Sequence, residues 1–303
     1  MKAVISPKAG PPEVLQIQEL EKPIPKRGEL LVKVHCATVT AGDVNLRRMN
    51  RLLLGTIGLV AGFKNMKVPG VEYSGVIESV GEGVSAFAPG DAVRGTTTGL
   101  AYGANAEYVA VPEKPRMGVI IKKAAELSHR DAAAATVGPM TAMQLLQKAA
   151  IRSGESLLVY GASGSVGSFA IQLGKHYGAT VIGVCSAGNT EMVGSLGADS
   201  VIDYQSEDFT KNGRRYDVIF DAVGKLSKSQ VSESLASGGR FVGVRSITKE
   251  VKEELQYIQQ LQLKGELNPF IDGEYALDDI VKAHRRADSG RKRGNIVIPI
   301  VPD

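Results

Sequence analysis

From the start of the chain to about Pro112, apolar positions come in short runs cut by glycine and proline: LLVKVHCATVT, GVEYSGVIESVG, DAVRG and AEYVAVP. Turn residues about every 8–12 positions between such runs predict an antiparallel barrel or sandwich. The texture changes from Ala124. Ser128 and Asp131 open an Ala-rich helix, and a helical pattern continues from Thr141 to Ala150. The runs SLLVYGA, TVIGVCS, SVIDY, YDVIFDAVG and GRFVGV follow, interleaved with helical stretches over 166–177 and 191–196. Strand–helix alternation predicts an α/β lobe with a doubly wound parallel sheet. A further helix over 249–264 stops at Gly265, and NIVIPIV is β-like again, so the end of the chain is expected to return to the first lobe.

Composition narrows the function classes. A chain of 303 residues has room for two domains rather than one. A net charge of +4 makes too weak a field to suggest nucleic acid or a membrane surface as partner. The two cysteines, Cys36 and Cys185, lie far apart and form no disulfide framework, which fits a reducing compartment. The first ten residues lack the apolar core of a signal peptide. The most apolar stretch, residues 52–62, is shorter than the ~20 residues that span a bilayer. A cytoplasmic protein is the expectation.

The sharpest chemical signal is Gly161-Ala162-Ser163-Gly164-Ser165-Val166-Gly167, between an apolar strand and a helix. Small residues there let the backbone approach a pyrophosphate, and the helix amino end offers it N–H groups and a positive dipole end. The competing reading is a tight strand-to-helix turn with no ligand. An NAD site usually carries an acid at the end of the second strand. TVIGVCSAGN instead ends in Cys185, Ser186 and Asn189 with no acid, and Ser186, Asn189 and Tyr204 suit a 2′-phosphate, so NADPH is the expected cofactor. The competing reading of Tyr204 is an ordinary surface tyrosine at a strand end. The basic residues Arg291, Lys292 and Arg293 read either as a solvated turn or as cations reaching toward the cofactor.

Together these stretches, with VGPMTAMQLL, SLGADSVIDY and GRKRGNIVI, resemble the zinc-free quinone oxidoreductase-like branch of the medium-chain dehydrogenases/reductases. The resemblance implies a GroES-like catalytic lobe over 1–114 and 268–303 and a Rossmann lobe over 115–267, with NADPH in the cleft between them. It implies hydride transfer to a quinone or an α,β-unsaturated carbonyl as the activity. Carried over by residue, Ser163, Gly164, Ser165, Val166 and Gly167 meet the pyrophosphate. Ser186, Asn189 and Tyr204 match the adenosine-phosphate side. Thr141, Val223 and Gly224 fall near the nicotinamide and its ribose, and Arg291, Lys292, Arg293 and Asn295 match a stretch that closes over the cofactor.

Departures from the family pattern sharpen the expectation. Zinc-dependent members carry a Cys near Thr40 and a His in the motif that here reads Gly70-Val71-Glu72. Catalytic zinc needs about three good ligands, and adjacent strand residues His35 and Cys36 are expected to face opposite sides, so no metal is expected. Few residues separate GRFVGVRS from the last long helix. The sheet is therefore expected to lack a sixth Rossmann strand, leaving a monomer or an atypical homodimer. Thr40, Asp43, Asn45 and Tyr73 are the catalytic candidates. Asp43 reads equally as a helix N-cap, and Tyr73 equally as barrel core. The apolar segment 52–63 reads as a substrate cover or as a buried helix. With no acid–base dyad in view, a weakly catalytic NADPH-binding redox sensor or scaffold is the alternative function.

Overall fold

The structure, a computed structural model, describes residues 1–49, 68–98 and 103–301. The apolar segment 52–63 lies outside the described residues. Two compact units share the chain: residues 1–137, 250–263 and 271–303 form one, and residues 138–249 and 264–270 the other.

In the first unit β1 (Lys2–Ile5) pairs with β2 (Gln16–Glu19). The remaining strands of this stretch are β3 (Glu29–Val39), β4 (Glu72–Val80), β5 (Ala92–Thr96), β6 (Tyr108–Pro112) and β7 (Ile120–Lys122). β3 is the hub, with antiparallel partners in β4 and β6. Its core-facing residues are Leu30, Val32 and Val34, then Ala37 and Val39. The alternation changes phase between Val34 and Cys36, where the β3–β4 register shifts. A bulge of this kind adds one residue and turns the following side chains to the other face. Cys36 consequently joins a second cluster with Ala133, Ala134 and Val297. His35 and Cys36 both line one cavity of about 350 Å³, contrary to the opposite faces expected of an unbroken strand. There the His35 and His129 rings stack with centroids 4.4 Å apart.

The second unit holds β8 (Ser156–Tyr160), β9 (Thr180–Cys185), β10 (Ser200–Asp203), β11 (Tyr216–Asp221) and β12 (Leu235–Gly243). These five form one sheet in the order β10-β9-β8-β11-β12. Every pairing is parallel, and the apolar runs of the inner strands β8, β9 and β11 are buried within it. Sequence order reverses between β8 and β11, which makes that gap the switch point of the sheet. After β12 the chain enters the helix Lys252–Leu263 without adding a sixth strand.

That helix belongs to the first unit, although residues 115–267 were expected to lie in the second. Polar anchors explain the placement. Gln259 accepts the Ala124 N–H and donates to the Lys122 carbonyl, both at 3.2 Å. Just before the helix, the Glu250 carboxylate accepts the hydroxyls of Thr96 at 2.8 Å and Thr98 at 2.7 Å. The chain then closes the first unit with β13 (Ile271–Glu274) and β14 (Asn295–Pro299), extending its sheet to the order β13-β14-β3-β4-β5-β7. Among the described residues no helix is long and apolar enough to cross a membrane.

Candidate functional site

In the second unit the glycine-rich turn leaves β8 and enters the helix Ser165–His176. Gly161 has φ +80°, a left-handed conformation that suits glycine, and a Cβ there would lie 2.3 Å from Val223 Cγ2. A Cβ on Gly167 would lie 2.2 Å from the Gly161 carbonyl oxygen, so the helix can sit this close to the turn only with glycine there. Gly164 is the N-cap, and no side chain caps the helix. An uncapped amino end of a 12-residue helix offers backbone N–H groups to an anion. The residues present therefore fit a dinucleotide pyrophosphate.

Side chains beside the turn extend this surface. Asn189 donates to Ser186 Oγ at 3.1 Å and to Ser163 Oγ at 3.2 Å, tying the end of β9 to the glycine turn. Tyr204 is 55% exposed, and its backbone N–H donates to the Cys185 carbonyl at 3.0 Å. An acid does stand close by, on the neighbouring strand: Asp203 pairs in register with Cys185. Its Oδ1 accepts the Gln205 N–H at 3.1 Å and is engaged within its own turn. Val223 and Gly224 follow β11, on the opposite side of the switch point from the glycine turn. Thr141 is half-buried in the helix Val137–Lys148, one turn beyond Gly138, where a Cβ would lie 2.7 Å from Ser165 Oγ.

The first unit holds a cluster of a different kind, built from buried charge. Glu72, at the start of β4, is 3% exposed. It accepts the Thr38 hydroxyl on one oxygen and the Val137 N–H on the other, the latter at 2.6 Å. Burial pushes its carboxyl up to about 7 despite those two donors. Arg94 is wholly buried and donates to the Gln262 amide oxygen, the Ala135 carbonyl and the Thr136 hydroxyl. Burial brings its guanidinium down to about 9, against the favourable field of Glu72. Lys292 donates to the Gly294 carbonyl, and desolvation brings its ammonium down to about 8 within electrostatic reach of Glu72 and Asp272. Sequence reasoning missed Glu72 and Arg94. The signal available for Glu72 was the motif Gly70-Val71-Glu72, read only as the remnant of a metal motif.

The other first-unit candidates take structural places. Thr40 is the N-cap of the helix Ala41–Arg48 and Asp43 its third residue, together forming a capping box. Asp43 is thus neither the N-cap nor an open carboxylate. Its Oδ2 accepts the Thr40 hydroxyl at 2.6 Å and the Thr40 N–H at 2.8 Å, and its Oδ1 accepts the Gly70 N–H at 3.0 Å. Asn45 is exposed on the same helix. Tyr73 is wholly buried in the barrel core, and its hydroxyl has no hydrogen-bond partner among the described residues. The basic run divides: Arg291 is exposed, and Arg293 Nε lies 3.3 Å from Asp272, which Arg286 also grips. Asn295 is buried at the start of β14.

Comparison with known proteins agrees with this geometry. Residues 26–122 match the alcohol dehydrogenase GroES-like domain, and residues 165–267 and 243–298 match zinc-binding dehydrogenase families. A tomato 2-methylene-furan-3-one reductase is 33% identical over all of this chain and 80% of its own length. The human quinone oxidoreductase is 30% identical, covering 96% of this chain and 94% of its own. Among solved structures, the quinone oxidoreductase of Coxiella burnetii superposes with a TM-score of 0.85 at 27% identity, over 99% of each chain. A cobalt- and zinc-bound alcohol dehydrogenase from Pyrobaculum aerophilum superposes almost as well, at 0.83 and 26% identity over 99% of each chain. The fold is therefore shared with a metal-bound alcohol dehydrogenase as well as with a quinone oxidoreductase, and the two relatives at 30% identity or more are reductases of the quinone oxidoreductase type. The chain belongs to the medium-chain dehydrogenase/reductase family, as a member of its quinone oxidoreductase-like branch.

Proposed function

We propose that this protein transfers a hydride from NADPH to a quinone or an α,β-unsaturated carbonyl and does so without zinc. The observation that carries the reading is the uncapped helix amino end behind the glycine turn, at the switch point of a parallel sheet. NADPH supplies the reducing hydride when bound, and the protein's part is to hold it. Amides at the start of the helix Ser165–His176 meet the pyrophosphate, with Ser163, Ser165, Val166 and Gly167 around it. At the adenosine end, Ser186, Asn189 and Tyr204 offer hydroxyl and amide donors to a 2′-phosphate. The end of β9 itself carries no carboxylate, and Asp203 beside it on β10 is engaged by the Gln205 N–H within its own turn.

Support for zinc independence comes from the donor set. The Thr40 hydroxyl is committed to Asp43, and valine occupies position 71. Among the described residues no three His, Cys, Asp or Glu side chains are placed to hold a metal ion. An acceptor already poor in electrons needs no Lewis acid to take up a hydride, which favours quinones and enones over alcohols as substrates. The names of the relatives, a furanone reductase and a quinone oxidoreductase, point the same way.

The test follows NADPH and NADH oxidation across a panel of quinones, enones and enals, with metal analysis of the purified protein. NADPH is expected to be preferred by about ten-fold or more, through charge-assisted bonds to its phosphate. Turnover is expected to survive a chelator. Turnover that depends on added zinc, or tight NADPH binding with no turnover on any acceptor, rejects the proposal.

A further inference from the structure

We infer that Asp221 is a positioning residue for the nicotinamide half of the cofactor, acting through the backbone of residues 222–226. The inference rests on the cofactor reading above. Asp221 ends β11 and is 1% exposed. Among the described residues its carboxylate has no ion-pair partner, and it gathers three backbone donors from the next five residues. Oδ1 accepts the N–H groups of Val223 and Gly224, both at 2.9 Å, and Oδ2 accepts that of Leu226 at 2.7 Å. Together these bonds fold the chain back on itself directly after the strand, with Gly224 at φ +79°.

Location gives this loop its meaning. β11 is the parallel neighbour of β8, so residues 222–226 and the glycine turn 161–167 leave adjacent strands at their carboxyl ends. That is the place where an open parallel sheet binds its ligand. The two loops touch: Val223 Cγ2 occupies the position where a side chain on Gly161 would begin. One loop is fixed by glycines that let the backbone bend, and the other by a buried carboxylate that pulls it into shape. With the glycine turn holding the pyrophosphate, the 222–226 loop presents backbone to the part of the dinucleotide beyond it. A carboxylate that accepts three amides at once fixes the orientation of each peptide between them. Asparagine at 221 keeps the shape but replaces one acceptor oxygen with an NH2 group, which opposes at least one of these N–H donors.

The experiment compares two ligands on Asp221→Asn and the parent protein by isothermal titration calorimetry: NADPH, and adenosine 2′,5′-bisphosphate, which lacks the nicotinamide half. Circular dichroism and thermal melting establish that the variant is folded. NADPH affinity is expected to fall about ten-fold, with bisphosphate affinity changed by less than about two-fold. Equal weakening of both ligands, or no change in either, overturns the inference. Should the asparagine variant fail to fold, Gly224→Ala tests the same loop. It strains the left-handed residue while its Cβ meets only side chains at ordinary contact distance, Arg245 at 3.4 Å and Val244 at 3.5 Å. Selective loss of NADPH is again expected, and equal or absent loss again overturns the inference. A parent protein that binds the bisphosphate and not NADPH overturns the nicotinamide reading itself, and this inference with it.

Discussion

The two units prepare chemistry in opposite ways. In the second, the ligand-facing groups are backbone amides, placed by small residues within the stretch 161–167 and its neighbours at strand ends. In the first, the charged groups are side chains far apart in sequence, among them Glu72, Arg94 and Lys292, and burial tunes them. A site made of amides carries no net charge to desolvate, so it costs little stability and changes little with pH. A site made of buried side chains is coupled to both. Substitutions in the first unit should therefore move stability and its pH dependence, whereas substitutions in the second should move affinity for the dinucleotide.

Arg94 is the strongest test of that contrast. It holds the Ala135 carbonyl, the Thr136 hydroxyl and Gln262 together, so it ties β5 to two helical segments of the first unit. Arg94→Ala leaves those acceptors buried without their donor. A loss of about 3–5 kcal/mol is expected in urea denaturation, the range for breaking a buried charge network on one side. In the fraction that remains folded, affinity for adenosine 2′,5′-bisphosphate should stay within about two-fold. A variant of unchanged stability would mean that the buried network carries no energy.

Glu72 gives the pH arm of the comparison. Its folded pKa of about 7 lies above the ordinary value of 4.5, so the folded state favours the protonated carboxyl. Between those values the folded chain binds more protons than the unfolded one, and stability falls as pH rises. The contribution is fully present below the unfolded value and is lost on passing through the folded one. The difference corresponds to ~3 kcal/mol across the window. Glutamine at 72 can still accept the Val137 N–H and can donate to the Thr38 hydroxyl, yet it does not ionise. Relative to the parent, Glu72→Gln should gain stability steadily from pH 5 to pH 8 in a series of urea titrations, and parallel curves would place the ionisation of Glu72 elsewhere.

Legibility in the sequence follows the same division. The glycine turn could be read because strand, turn and helix are contiguous, and each small residue has a local reason to be there. Ser186 and Asn189 could be read as a pair with it because the end of β9 is local too. The first unit resisted. A bulge in β3, invisible in an alternating run, put Cys36 and His35 on one cavity when simple alternation placed them on opposite faces. Tyr73 read equally as a catalytic candidate and as barrel core, and only the sheet decides for the core. Lys292 read either as part of a solvated turn or as a cation reaching toward the cofactor, and its burial near Glu72 and Asp272 is set by residues distant in sequence. Asp221 was passed over because a carboxylate at a strand end has no signature until the loop beyond it folds back.

The smallest effect probes the second unit at its most local feature. Gly161 combines a left-handed φ of +80° with a contact to Val223. Alanine there strains the backbone by about 1–2 kcal/mol. Its methyl group also pushes the half-exposed Val223 side chain aside, along with the peptide that presents it. Because the strain falls on the turn itself, it should be felt where the pyrophosphate binds. NADPH affinity is expected to drop about ten-fold, and stability to fall by no more than about 2 kcal/mol, the same at pH 5 and pH 8. A stability loss that varied with pH would couple this turn to a titrating group and erase the distinction between the units. Unchanged NADPH affinity in the folded variant would show that the turn serves only to join strand to helix, leaving the dinucleotide to be bound elsewhere.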